Sequence, residues 1–188
     1  ESSSDDLILI SDLDEIPNLS KLDFNAIKNN IIIFEQKMFY YKLNLFYKDY
    51  KWQGTKGVRR KNFISPQWLR NIKGKKYPSW RIDVLFSKKK YSNLLYVKDG
   101  GWHFTCLRTP EELEKKLLNF AHHYEFEESG LKLEDIRKLI MEKRVMYDHT
   151  VDQKGYKWSG KSLLKNLEIN FLPEHVKQNK EKYLDWLD

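Results

Sequence analysis

The chain has 188 residues, 40% of them hydrophobic and 14% aromatic, so it can bury a core and is too apolar to be disordered. Its single cysteine, Cys106, excludes an internal disulfide and favours a reducing compartment. No apolar run approaches the roughly 20 residues that cross a bilayer. The net charge of +7 comes from 34 basic and 27 acidic residues and favours anionic partners. Basic clusters at 56–61, 73–76 and 88–90, interleaved with Trp52, Phe63, Trp68, Tyr77 and Trp80, raise nucleic acid as one such partner. A solvated, lysine-rich surface accounts for most of that charge, and no nucleic-acid partner is expected.

In chain order, Leu7-Ile8-Leu9-Ile10 reads as a short buried strand within 5–11, of the kind a parallel sheet covers on both faces. Pro17 and Asn18 break it, and Asn18 or Ser20 is placed to cap a short helix through Asn29. Residues 31–46 read as one or two strands, and 48–57 as a polar, aromatic loop. Within 62–77, Ser65 caps a helix over 66–72 with Pro66 at its first position. Residues 91–107 read as strand, turn, strand, with Asp99-Gly100-Gly101 as the turn. Thr109-Pro110-Glu111-Glu112 starts a helix that runs to about His123, with Leu113, Leu117, Phe120 and Ala121 on one face. Residues 133–144 form another helix, and 162–166 and 175–187 a helical tail. Strands mixed with helices predict an α/β fold in one domain.

Ligands of such sheets sit beyond the carboxyl ends of the strands, and there the apolar run delivers Asp12-Leu13-Asp14-Glu15. If strand geometry persists, Asp12 and Asp14 share a side and converge on one point, with Glu15 opposite. Paired carboxylates suit a hard divalent cation whose other ligands are phosphate oxygens and water. The plain alternative is acids that cap backbone amides in a turn.

Ile10-Ser11-Asp12-Leu13-Asp14-Glu15-Ile16-Pro17 resembles the D-x-D-E-I-P motif of glycosyltransferase family 17, which contains the β-1,4-mannosyl-glycoprotein N-acetylglucosaminyltransferases. Gly100-Gly101-Trp102-His103-Phe104-Thr105 resembles that family's G-W-H segment. Further likenesses follow at Thr109-Pro110-Glu111, Lys116-Leu117, Asn119-Phe120-Ala121-His122 and Leu163-Leu164-Lys165-Asn166, so the similarity covers nearly the whole chain.

The resemblance implies a GT-A-like mixed sheet with flanking helices, a UDP-sugar donor, Mn²⁺ or Mg²⁺, a glycan or glycoprotein acceptor, and inversion at the anomeric carbon. Asp12, Asp14 and His103 would then be metal ligands, and Asp12, His103, Trp102 and Arg59 would contact the donor. Inversion needs a carboxylate base: Glu111 is the first candidate, with Asp83 and Asp99 behind it. The helix dipole alone would also explain Glu111. Equally, a lone His103 among aromatics would serve as a hydrogen-bonded core residue, and Trp102 would fit a core as well as a sugar face. His122 and His123, on a helix, are weaker candidates. Arg60 and Lys61 join Arg59 as diphosphate contacts. Tyr40, Tyr41, Asn44 and Trp52 would help to shape the acceptor side.

Members of the family carry a further half-domain before the acidic motif, with the first strands and much of the nucleotide pocket. The chain opens at Glu1, a few residues before the first strand. The expectation is therefore a longer parent, a partner that supplies the rest, or self-association through an exposed strand edge. A cytoplasmic microbial or viral enzyme is expected, with a Golgi lumenal domain as the alternative for a eukaryotic parent.

Overall fold

The computed structural model describes residues 3–25, 27–28, 31–78, 80–119, 123–152 and 155–188. They form an open, mixed α/β sheet with flanking helices. Strand β1, Leu7–Ile10, pairs antiparallel with β4, Leu45–Arg59, from Leu7↔Arg59 to Ile10↔Lys56. Its apolar run divides between two faces: Leu7 and Leu9 pack on Leu22, Ile32, Phe34 and Val97, while Ile8 and Ile10 pack on Ile31, Ile33, Val58, Leu69, Ile72 and Leu94. Apolar cover on both faces is thus as expected, but the parallel, fully buried setting is not. The strand ends the order β1-β4-β3-β6-β2 and is only half-buried, because an apolar run encodes cover and not the direction of its neighbour.

Strand β2 is Glu15–Pro17, β3 Ile31–Tyr40, β5 Leu94–Val97 and β6 Gly101–Thr105. The β-branched start of β3 is almost completely buried, and it pairs in parallel with β5 from Ile31↔Leu94 to Phe34↔Val97. The segment around Asp99 is therefore no hairpin turn. Strands β5 and β6 both lie along β3, and Gly100 N–H donates to Glu35 C=O at 2.8 Å where one gives way to the other.

Residues 48–57, expected as a loop, are strand throughout. Their buried face carries Thr55, which meets Gln36 of β3 at 3.1 Å, so the apolar alternation that announces a strand is missing. Of the short helix expected through Asn29, the described residues show one 3₁₀ turn, Leu19–Lys21, and Asn18 makes no side-chain cap; Asn29 lies outside the described residues. Helix α1, Pro66–Asn71, starts as predicted, with Ser65 Oγ accepting from Trp68 N–H at 3.1 Å. Helix α2, Ile82–Leu85, was not foreseen.

The chain divides into two compact units, residues 1–36 with 52–103 and residues 37–51 with 104–188. In the second, α3, Pro110–Leu118, opens on a full capping box between Thr109 and Glu112. It ends five residues short of His123, where α4, His123–Ser129, begins. Phe120, Ala121 and His122 lie outside the described residues. Helix α5, Leu133–Met141, is followed by Arg144 bridged to Leu163. Residues 162–166, expected to be helical, instead supply β7, Lys165–Asn166, which pairs with Leu45 and Phe46 of β4. Tertiary hydrogen bonds, such as Leu167 N–H to Asn44 C=O at 2.9 Å, override a weak local preference there. The tail is helical as expected, as α6, Glu174–Gln178, and a 3₁₀ run over Lys180–Trp186.

Asp148, 3% exposed, knits this unit together. Its Oδ1 accepts from Tyr47 Oη at 2.6 Å, Thr150 Oγ1 at 2.6 Å and Thr150 N–H at 2.9 Å, and its Oδ2 accepts from Ser162 Oγ at 2.5 Å. Burial pushes its pKa up, but the hydrogen bonds from Ser162, Thr150 and Tyr47 outweigh that and hold it at about 2. A carboxyl depressed on folding contributes stability above its unfolded pKa and loses it as the pH falls through its folded value. Urea unfolding should therefore show about 2 kcal/mol of stability from this group lost between roughly pH 5 and pH 2. The Asp148→Asn variant should lack that step, and an unchanged pH profile in the variant would exclude the assignment.

Candidate functional site

The acidic segment does not continue β1. Glu15 N–H donates to Asp12 C=O at 3.1 Å, which closes a turn over Asp12-Leu13-Asp14-Glu15. The expected sharing of one side by Asp12 and Asp14 on strand geometry fails for this reason, and each carboxylate has its own partner. Asp12 Oδ1 lies 2.7 Å from Arg70 Nη2 at the end of α1. Asp14 Oδ2 lies 3.3 Å from His103 Nε2 on β6.

Glu15, expected opposite the aspartates, is buried and turns inward. Its Oε1 accepts from Trp52 Nε1 at 2.6 Å, and its Oε2 accepts from Asp12 N–H at 3.1 Å and Thr55 Oγ1 at 3.4 Å. Thr55 in turn shares a 2.6 Å contact with Ser11 Oγ. One carboxylate thus ties the turn to the middle of β4.

Strand β2 pairs antiparallel with β6 in the register Glu15↔His103, Ile16↔Trp102, Pro17↔Gly101. That register carries His103, 5% exposed, to the acidic turn, where its ring packs on Trp52 at a centroid distance of 4.3 Å. With Nε2 set against the Asp14 carboxylate, Nδ1 is left buried without a hydrogen-bond partner among the described residues. His103 therefore stands behind Asp14 as its support. Alternation along β6 sets Trp102 on the opposite face.

Beside the turn lies a cavity of about 250 Å³ lined by Asp12, Glu15, Trp52, Gln53, Lys56 and Arg70, among others. Lys56 is held by the carbonyls of Arg70 and Ile72 at 2.6 and 2.7 Å, and its burial lowers its pKa. The cations here are thus Lys56 and Arg70, neither of which the sequence singled out for this place. Arg59 is spent elsewhere: it pairs with Leu7 at the far end of β1 and donates to the carbonyls of Asp5 and Phe24 at 2.6 and 2.8 Å. Lys61 meets Asp5 at 2.8 Å, and the Arg60 N–H bonds Asp6 C=O.

Two of the three candidate bases are already engaged by cations. Asp83 is bound by Arg81 and Lys90, both at 2.7 Å, and these hydrogen bonds hold its pKa at about 2, which makes it a weak base. Asp99 is exposed at φ 49° in the β5–β6 connection, a conformation Asp tolerates better than most residues. Glu111 belongs to the second unit, where Arg137 Nη2 binds it at 2.6 Å and holds its pKa below the usual carboxylate range. Tyr40 and Tyr41 are core residues of that unit, and Asn44 binds the main chain of Asp188. Trp52 alone of the aromatic stretch reaches the site.

No group of three or more His, Cys, Asp or Glu side chains placed to hold a metal occurs among the described residues. The turn supplies two hard oxygen donors, Asp12 and Asp14, paired with Arg70 and His103; a divalent cation there would need its other ligands from a bound phosphate and water. Comparison of the chain with family models, with curated proteins and with solved structures gave no significant match. No helix among the described residues is long and apolar enough to cross a membrane.

Proposed function

We propose that the chain is the metal- and acceptor-binding part of an inverting GT-A-type glycosyltransferase, which transfers a sugar, first of all N-acetylglucosamine, from a UDP-sugar to a glycan hydroxyl. One observation carries the reading. The two segments that resemble glycosyltransferase family 17, far apart in sequence, meet at one place: β2 pairs with β6, and Asp14 faces His103 at 3.3 Å. The adjoining polar cavity, with Arg70 at its wall, suits a diphosphate, since a guanidinium pairs with phosphoryl oxygens. Asp12 and Asp14 would hold the cation, which when bound would neutralise charge on the departing nucleotide. Arg70 would exchange Asp12 for a phosphoryl oxygen, His103 would orient Asp14 as a supporting partner does, and Trp52 would offer a ring face to a sugar. A cytoplasmic setting in a microbial or viral parent belongs to the same proposal.

The pairing of Asp12 with Arg70 and of Asp14 with His103 favours a second reading, a carbohydrate- or nucleotide-binding module without catalysis. Calorimetric titration of UDP with and without Mn²⁺ separates the two. Manganese-dependent binding is expected, weakened about 100-fold in Asp14→Ala and about tenfold in His103→Asn. Binding that ignores both Mn²⁺ and Asp14→Ala would select the module, and absence of binding in every condition would remove the donor site from this chain.

A further inference from the structure

Segment 73–90 of the first unit holds Lys73, Lys75, Lys76, Arg81 and the run Lys88-Lys89-Lys90 against one acid, Asp83. Seven cations less one anion give the segment a net +6. Residues 51–70 hold six cations and no acid, so what sets 73–90 apart is the run of exposed apolar side chains that its charge flanks. Asp83 is already neutralised by Arg81 and Lys90, which also lean over the Tyr77 ring at 5.5 and 5.9 Å. Five exposed lysines remain as surplus charge.

The same segment exposes its large apolar side chains. Trp80 is 79% exposed, Ile82 69%, Leu85 79% and Phe86 86%, while only Val84 turns inward at 8%. Ile82, Leu85 and Phe86 fall at i, i+3 and i+4 of α2 and its C-cap, which places them on one side. Exposed apolar side chains on one side of a short helix, flanked in sequence by Trp80 and by exposed lysines, are a costly surface to leave in water.

We infer that this segment docks the protein onto an anionic lipid surface, with Trp80, Ile82, Leu85 and Phe86 entering the headgroup and acyl boundary and the lysines contacting lipid phosphate and carboxylate groups. Charge complementarity selects an anionic occupant, and the exposed apolar side chains select a hydrocarbon one. Nucleic acid would satisfy the lysines but offers nothing for Ile82 and Leu85, since bases stack on aromatic rings. Tryptophan and a short amphipathic helix lying in the interface are what such a boundary favours.

Flotation of the chain with phosphatidylcholine vesicles, with and without phosphatidylserine, tests this. Binding is expected only with phosphatidylserine, together with a blue shift of tryptophan emission that Trp80→Phe reduces. Leu85→Glu with Phe86→Glu should weaken binding at least about tenfold, and Lys88→Ala with Lys89→Ala by a similar factor. All five substitutions are at exposed positions, so thermal melting should be unchanged, and circular dichroism checks that the loss is not unfolding. Absence of flotation would overturn the inference. So would flotation that salt abolishes and the Leu85/Phe86 pair leaves intact, which is adsorption by charge alone, and so would RNA binding in place of vesicle binding.

Discussion

Glu15→Ala is expected to lower the melting temperature by about 6–12 °C, although the residue belongs to a short turn next to a polar cavity. A single carboxylate accepts from Trp52 Nε1, Asp12 N–H and Thr55 Oγ1, and it is buried. Removing it strands at least the indole and amide donors, at about 1–3 kcal/mol for a buried group left unpaired. Trp52 is half-buried, so water recovers part of that, and a net loss of about 3 kcal/mol follows, worth roughly 2–4 °C per kcal/mol in a chain of this size. Glu15→Gln keeps an oxygen for the indole but turns an amide N–H₂ toward the Asp12 N–H, so it should fall between wild type and alanine. Melting followed by circular dichroism decides the matter: a change within about 0.5 kcal/mol for Glu15→Ala, the range for an ordinary surface site, would mean that the carboxylate does not tie the turn to β4.

The parts of this fold that sequence revealed are those whose signals are local. The Ser65-Pro66 and Thr109-Pro110-Glu111-Glu112 starts specify caps within four residues, and both caps are present. The apolar run before Asp12 announced a strand and its two apolar contacts. What failed depended on partners distant in sequence. Residues 48–57 resembled a loop because β4 turns Thr55 and the indole N–H of Trp52 toward Glu15, and a strand that faces a polar site loses the apolar alternation by which strands are recognised. Residues 162–166 gave up helix for pairing with β4 and for the Ser162–Asp148 bond.

At the site, the acids and His103 were legible as residue types, and only the fold gave their order. Strand periodicity stops at Ile10 and a turn follows over 12–15, so the aspartates do not share a side and Glu15 turns inward. Arg70 meets Asp12 because α1 packs beside β1, and Lys56 arrives through the β1–β4 register at Ile10. Arg59, singled out for the phosphate-pairing chemistry of its guanidinium, lies at the other end of the same strand pair. No spacing rule within the sequence carries that information, since it is set by which residue of β4 opposes which residue of β1.

The second large effect is expected at Gly101, where the two motif segments close on each other. Its φ of +137° is open to glycine and costly to other residues. A Cβ built there would lie 2.1 Å from Ile16 O, 2.9 Å from Asn18 N and 3.0 Å from Pro17 Cα, all backbone-borne atoms of β2 and its exit, which no rotamer change can move. Alanine would therefore force β2 away from β6 in addition to straining its own backbone. A loss of about 3–5 kcal/mol follows from the strain and the weakened pairing, or on the order of 10 °C. Gly130→Ala is the internal control, because it shares a positive φ of +70° but has nothing within 4 Å of its Cβ, so it should lose only about 1 kcal/mol. The register Glu15↔His103 depends on the same closure, and Gly101→Ala should also weaken any manganese-dependent UDP binding, as His103→Asn would. Melting of the two alanine variants within a degree or two of each other would show that β2 can withdraw at no cost, and the contact between Asp14 and His103 would then be too loose to organise a ligand.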